Sequence, residues 1–386
     1  MKIPEFSLER YFARHEFQVP YLLSSSDIEG YRLDELLDLA DEEGRRLWEE
    51  LSLGYTESTG HPLLRAEVSS LYEGVAPEEV LVFSGAEEAI FTFMNVALGP
   101  GDHAVVTWPA YQALYEVARA SGAEVTLLPL AHEEGWELDV ERLRAAVRPT
   151  TKVIVVNFPH NPSGFLPAAK VFEEVIEIAR EADAYLFSDE VYRFLEHDPS
   201  DRLPAAVDRY EKAVSLGVMS KAFALAGLRI GWISTHDERL LGDLARFKDY
   251  TTICNSAPGE VLAIIALRAR EAVLSRSMEI ITTNLPHVDR FFDDWRDVFE
   301  WVRPRSGCIG FPKLLADFPV ERLASELAEG EGVMLLPGTT YGYEANAGGD
   351  TGGAGGNHFR IGLGRKNFPE ALGRLESFAA RRLRGI

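Results

Sequence analysis

Cysteine is nearly missing from this sequence: Cys254 and Cys308 are its only two. That is too few for a disulfide framework and fits a reducing cytosol. Long apolar runs are also missing. The strongest, AIFTFMNVAL at 89–98, is far too short to span a bilayer, and the opening MKIPEFSLER has no apolar core of a secretory signal. The expectation is a cytoplasmic protein that does not enter a membrane. None of the nine histidines lies three or four residues from another, and no Cys/His cluster has zinc-site spacing, which argues against a metal. Lysine is scarce as well, with eight in 386 residues, so a mechanism that needs a lysine amine has few candidates.

What is present is an ordinary globular composition, 46% hydrophobic and 26% charged. The length exceeds what one hydrophobic core usually organises, so two domains are expected. A formal charge of -22 argues against nucleic acid and anionic membrane surfaces as partners, and solubility is its simplest reading. No G-x-G-x-x-G opens a helix, which speaks against a dinucleotide-dependent dehydrogenase.

The middle of the chain alternates short β-branched runs with helical patterns, the mark of an α/β sheet with crossover helices. Strands are expected at 80–85, 103–108, 124–130, 151–157, 184–190, 212–218 and 229–235, with a helix at 86–98 and another over 111–121. The gap between the last two strands is too short for a helical crossover, so 229–235 should run antiparallel. In an open parallel sheet, ligands bind beyond the carboxyl ends of the strands. That rule selects SGAEE after the first strand, NFPHNPSG at 157–164, SDEVY at 188–192, and Ser220-Lys221. The large domain is expected over 46–289, with a smaller one built from 1–45 and 290–386. The stretch 346–358 is glycine-rich enough for a surface loop.

The chain resembles the class I/II aminotransferases of fold type I, which depend on pyridoxal 5'-phosphate. The motifs that carry this are YTESTGHPLLR (55–65), NFPHNPSG (157–164), SDEVYRF (188–194), SKAFALAGLRIGW (220–232) and HFRIGLGR (358–365), in family order over nearly the whole length. The resemblance implies an α/β fold with a mostly parallel seven-stranded sheet flanked by helices, and a smaller α+β domain.

The resemblance also implies roles for particular residues. Lys221 matches the lysine that carries the cofactor as a Schiff base, which needs an unprotonated amine and hence desolvation or nearby positive charge. Arg229 is similar to the arginine that clamps the cofactor phosphate, a bidentate task. Gly85, Ala86 and Glu87 lie between a strand and a helix, where backbone N–H groups can meet an anion. Asp189 resembles the aspartate paired with the pyridine nitrogen, and Tyr192 and Asn161 resemble the groups that contact the ring oxygen. Tyr111 looks like the aromatic residue stacked on the ring. Tyr55 matches a tyrosine that reaches a neighbour's phosphate, implying a homodimer with shared sites. Arg360 looks like the arginine that holds the substrate α-carboxylate, with Asn161 beside it.

Three features depart from the family pattern. Val218 stands where many relatives have a phosphate-binding serine, leaving Ser220 or Ser215 as substitutes. The glycine-rich loop before Arg360 is longer than usual. The N-terminal stretch YLLSSSDIEGY (21–31) is more polar and acidic than expected. A carboxylate there, Asp27, could favour a cationic substrate side chain, or simply cap a helix beginning near Leu33.

The function implied is transfer of an amino group from an α-amino acid to a keto acid. The alternative keeps the cofactor and changes the reaction, to that of a lyase, decarboxylase, oxidase or capreomycidine synthase-like cyclase. A non-catalytic sensor is disfavoured, since only about fifty residues precede the large domain and the charge is acidic.

Overall fold

The computed structural model describes residues 2–342 and 357–384. Its centre is a sheet of seven strands: β1 (Val80–Phe83), β2 (His103–Trp108), β3 (Glu124–Pro129), β4 (Thr151–Asn157), β5 (Tyr185–Asp189), β6 (Ala213–Val218) and β7 (Gly231–Ser234). Their spatial order is β1-β7-β6-β5-β4-β2-β3. The central strands read as continuous apolar runs because helices cover both faces of the sheet; every residue of β1, β2, β6 and β7 is buried.

Strand β7 is antiparallel to both of its neighbours, β1 and β6, and the other pairs are parallel. Between β6 and β7 only a 3₁₀ turn at Ala226–Leu228 intervenes, so no crossover helix can return the chain to a parallel start. This arrangement turns the carboxyl ends of β1, β4, β5 and β6 toward one edge.

Helices α1 (Ser7–His15) and α2 (Ala86–Ala97) border this edge. Expected element ends shift by a residue or two at most; the helix expected over 111–121 spans Ala113–Ala120.

The chain ends meet. Tyr21–Leu22 pairs in parallel with Val333–Met334, and Phe359–Gly362 lies antiparallel between Ile309–Gly310 and Leu336–Pro337. The 25-residue helix Arg270–Asp294 links this region to the large sheet and runs through the position expected as the domain border. Of the glycine-rich stretch 346–358, residues 346–356 lie outside the described residues. Among the described residues no helix is long and apolar enough to cross a membrane.

Candidate active site

The strand ends and the chain-end region enclose a cavity of about 400 Å³. Ala86, Glu87, Tyr111, Asn161, Asp189, Tyr192, Ser220, Lys221, Arg229 and Arg360 all line it. So do Asn157, Val218, Ser26 and Asp27, with Leu8, Glu9, Phe12 and Glu16 from α1 and its end forming the outer wall. Tyr55 does not line it; that side chain is 91% exposed on the surface.

At one end, Gly85 turns the chain from β1 into α2 with φ +88°, a left-handed conformation that glycine alone adopts cheaply. A Cβ on Gly85 would overlap the Arg229 guanidinium, so the missing side chain is what lets Arg229 lie on the turn. Arg229 itself has φ +53°, backbone strain of about 1 kcal/mol or more that marks a constrained position. The helix start offers unpaired N–H groups and positive dipole charge, and with Arg229 it forms an anion cradle. Burial pushes the Glu87 carboxyl up to about 7, which reduces repulsion of an anion held there. Geometry decides among the hydroxyls. Val218 faces the cavity, and Ser215 is turned away, donating to Glu190 Oε1 at 2.8 Å and accepting from the Val207 N–H at 3.1 Å. Ser220 is the serine of the pair that lines the cavity.

In the middle, Asp189 ends β5 at 4% exposure and accepts from the Val191 N–H at 3.2 Å. Burial, against the opposing pull of that N–H and of Lys221, raises its carboxyl to about 7. A buried carboxylate so sparsely satisfied suits a cationic N–H partner, which would draw its pKa back down. Asn157 ties the floor together: its amide donates to the Asp189 carbonyl at 2.9 Å and its oxygen accepts from the Asn161 N–H at 2.8 Å. Tyr111 donates to Glu9 Oε1 at 3.2 Å, joining the cavity to α1.

Lys221 follows β6. Its Nζ lies 5.8 Å from the Tyr192 ring centre and donates to Ser26 Oγ at 3.0 Å. Burial lowers its pKa, with Arg360 acting the same way and Asp27, Cys308 and Asp189 opposing.

At the far end, Arg360 is 1% exposed. Its Nε donates to the Ser24 carbonyl at 2.9 Å, and its Nη1 to Tyr341 Oη at 2.7 Å and Asn161 Oδ1 at 3.3 Å. Among the described residues its Nη2 is buried with no partner. A guanidinium fork with one tine unsatisfied calls for an anion. Because Tyr341 and Arg360 occupy the Asn161 carbonyl oxygen, only the Asn161 NH2 is left to reach a ligand. Sequence reasoning missed Tyr341, which looks like a turn residue in GTTYGY, and it missed the meeting of Ser26 with Lys221. Asp27 does not cap the helix Leu33–Leu37, whose N-cap is Arg32; it is ion-paired with Arg365 at 2.9 Å.

An anion cradle, a buried carboxylate awaiting a cation, a lysine of lowered pKa and an unsatisfied arginine therefore share one cavity. Pyridoxal phosphate fits this donor and acceptor set from end to end.

The comparisons with known proteins agree. Residues 23–367 match the family model for aminotransferase class I and II. Capreomycidine synthase of Streptomyces vinaceus is 31% identical over 346 residues, 88% of this chain and 87% of that protein. The crystal structure of a PLP-dependent aminotransferase from Streptococcus suis superposes with a TM-score of 0.90 at 31% identity, covering 99% of both chains. The PLP-dependent cyclase OrfR superposes at 0.88 with 28% identity, covering 99% of this chain and 98% of that one. This chain belongs to the class I and II aminotransferase family and is a pyridoxal-phosphate-dependent enzyme of fold type I.

Proposed function

We propose that this enzyme is an aminotransferase that moves the amino group of an α-amino acid to a keto acid, with Lys221 carrying the cofactor. One observation supports this most: among the described residues a single lysine, Lys221, lines the cavity, and both the buried carboxylate of Asp189 and the unsatisfied guanidinium of Arg360 act on its amine. When bound, pyridoxal phosphate supplies an electron sink for the negative charge that develops at the substrate α-carbon. The N–H groups of Ala86 and Glu87, with Ser220 and Arg229, would hold its phosphate; the Gly85 N–H is already given to the Phe83 carbonyl at 2.8 Å, so Gly85 serves as the turn that brings them there. Asp189 would pair with its ring nitrogen, Tyr192 and Asn161 with its ring oxygen, and Tyr111 would stack on its face.

Arg360 would receive the substrate carboxylate on Nη2, its unsatisfied nitrogen, while Nη1 stays with Tyr341 and Asn161, which orients the α-carbon toward Lys221. The lowered pKa of Lys221 leaves a neutral amine available, so Nζ can take the α-proton and then return it as a general acid. The apolar side chains of Leu8 and Phe12 from α1 line the same cavity and would limit water around these charges.

The same reading includes a homodimer with shared sites. Tyr55 is fully displayed on the surface and outside this chain's own cavity, as a residue serving a neighbouring site has to be. The pairing of Tyr21–Leu22 with Val333–Met334 supports a small domain from 1–45 and 290–386 beside a large one at 46–289. Two free cysteines support a reducing, cytoplasmic setting. Glu9, Glu16 and Asp27 on the outer wall support a preference for cationic over acidic side chains.

A second reading, a lyase or cyclase on the same cofactor, draws on the likeness to capreomycidine synthase and OrfR and on the polar Ser24–Asp27 segment. Two measurements test these readings. Borohydride reduction of the loaded protein should fix the cofactor on the Lys221 peptide, and an adduct on another lysine would overturn the assignment. Amino acids added without an acceptor should give one half-turnover, with multiple turnovers only when a keto acid is supplied. Multiple turnovers without a keto acid would favour the second reading.

A further inference from the structure

The segment Leu23–Asp27 is fastened to the strand that carries Arg360. The Gly362 N–H donates to the Leu23 carbonyl at 2.7 Å and Arg360 Nε to the Ser24 carbonyl at 2.9 Å, while Arg365 grips the Asp27 carboxylate at 2.9 Å. The approach is so close that a Cβ on Gly362 would overlap the Ser25 carbonyl. Held along its length in this way, the segment presses one side chain on the catalytic lysine. Lys221 Nζ donates to Ser26 Oγ at 3.0 Å, and the Tyr192 ring centre lies 5.8 Å from the same Nζ. A serine hydroxyl has one proton and two lone pairs, so it can accept from the amine and keep its proton to donate.

The neighbouring residues do not duplicate this. The hydroxyls of Ser24 and Ser25 are buried without a partner, and the Asp27 carboxylate is committed to Arg365. We propose that Ser26 is the positioning residue for Lys221, holding its amine on the Tyr192 side of the cavity while the α-proton is transferred. This inference rests on the reading of Lys221 as cofactor lysine and base. It adds that the base is oriented from the N-terminal segment, through a hydroxyl fastened to the same strand that binds the substrate carboxylate. The titratable and charged groups around the Lys221 amine are Asp27, Glu16, Arg360, Cys308, Asp189 and Tyr192. Exchanging the serine leaves each of these groups in place, and of the six only Tyr192 also feels the Ser26 hydroxyl.

The test compares the loaded wild-type enzyme with Ser26→Ala and Ser26→Thr. Visible absorbance of the bound cofactor, followed against pH, reports the proton on Lys221 Nζ without turnover. Loss of the accepting hydroxyl in Ser26→Ala removes support for the charged form and should lower the midpoint by about one pH unit. In turnover, kcat should fall about 10- to 100-fold with KM little changed. The isotope effect from deuterium at the substrate α-carbon should rise as proton transfer becomes limiting. Ser26→Thr keeps the hydroxyl and should restore both midpoint and kcat. An unmoved midpoint and isotope effect in Ser26→Ala would overturn the inference, even with the borohydride adduct on Lys221. An adduct on a different lysine would overturn the reading beneath it.

Discussion

Arg360 Nη1 donates to Asn161 Oδ1 at 3.3 Å, joining residues 199 positions apart, and the Tyr341 hydroxyl closes the triangle. That hydroxyl accepts from the same Nη1 at 2.7 Å and donates to the same oxygen at 2.9 Å. Arg360, proposed to bind the substrate carboxylate, is thus oriented by two groups from different parts of the fold. Replacing Tyr341 with Phe removes one partner from each without opening a large void. The expected outcome is a KM for the amino acid raised about 10-fold with kcat within a few-fold of wild type. Steady-state kinetics decide it, and a fall confined to kcat would contradict this role.

Gly85→Ala should weaken cofactor binding more than folding. The residue sits at φ +88°, and its missing Cβ is the space that the Arg229 guanidinium fills. Forcing a methyl group there displaces the guanidinium from the anion cradle. Titration of cofactor into the stripped variant should show affinity reduced roughly 10-fold or more. Wild-type affinity would place the phosphate elsewhere.

Tyr55→Phe tests the shared site. Cofactor retention on dialysis should weaken, while sedimentation should still report a dimer, because one hydroxyl contributes little to a large interface. A wild-type chain that is monomeric and fully active would contradict the proposal.

The acidic outer wall predicts an order of substrates. Arginine- or lysine-like amino acids should react faster than glutamate or aspartate. Glu16, whose carboxyl is raised first by burial and then by Asp27, should contribute: Glu16→Gln is expected to lower kcat/KM for a basic substrate about 3- to 10-fold more than for a neutral one. Equal losses on both, or a preference for glutamate, would remove charge as the selector.

His160 should make the native state acid-sensitive. Its ring is held between Ser163 Oγ at 2.7 Å and the Pro109 carbonyl at 2.8 Å, and burial lowers its pKa to about 4. The unfolded chain takes up the proton near 6.5. Between these values the unfolded state binds more protons, so stability falls as pH drops from about 6.5 to about 4, by at most ~3 kcal/mol. Denaturant midpoints across this window should decline in wild type and decline less in His160→Gln. Parallel declines would assign the acid sensitivity to other groups.

The sequence by itself determined the sheet, the direction of β7 and the polar segments after strand ends that line the cavity. These are local properties: apolar runs of strand length, a linker too short for a helix, and polar breaks directly after buried strands. The cavity lysine, Lys221, was legible because lysine is so scarce and its motif is contiguous. The tertiary structure alone decided what meets across the chain. The Ser26 contact with Lys221 spans 195 positions, and the Tyr341 triangle joins segments with no pattern in common. Asp27 read more readily as a helix or turn cap than as a substrate contact until folding brought Arg365 against it. Hydrophobic periodicity encodes which face of an element is buried, but not which polar side chains converge when several such faces pack.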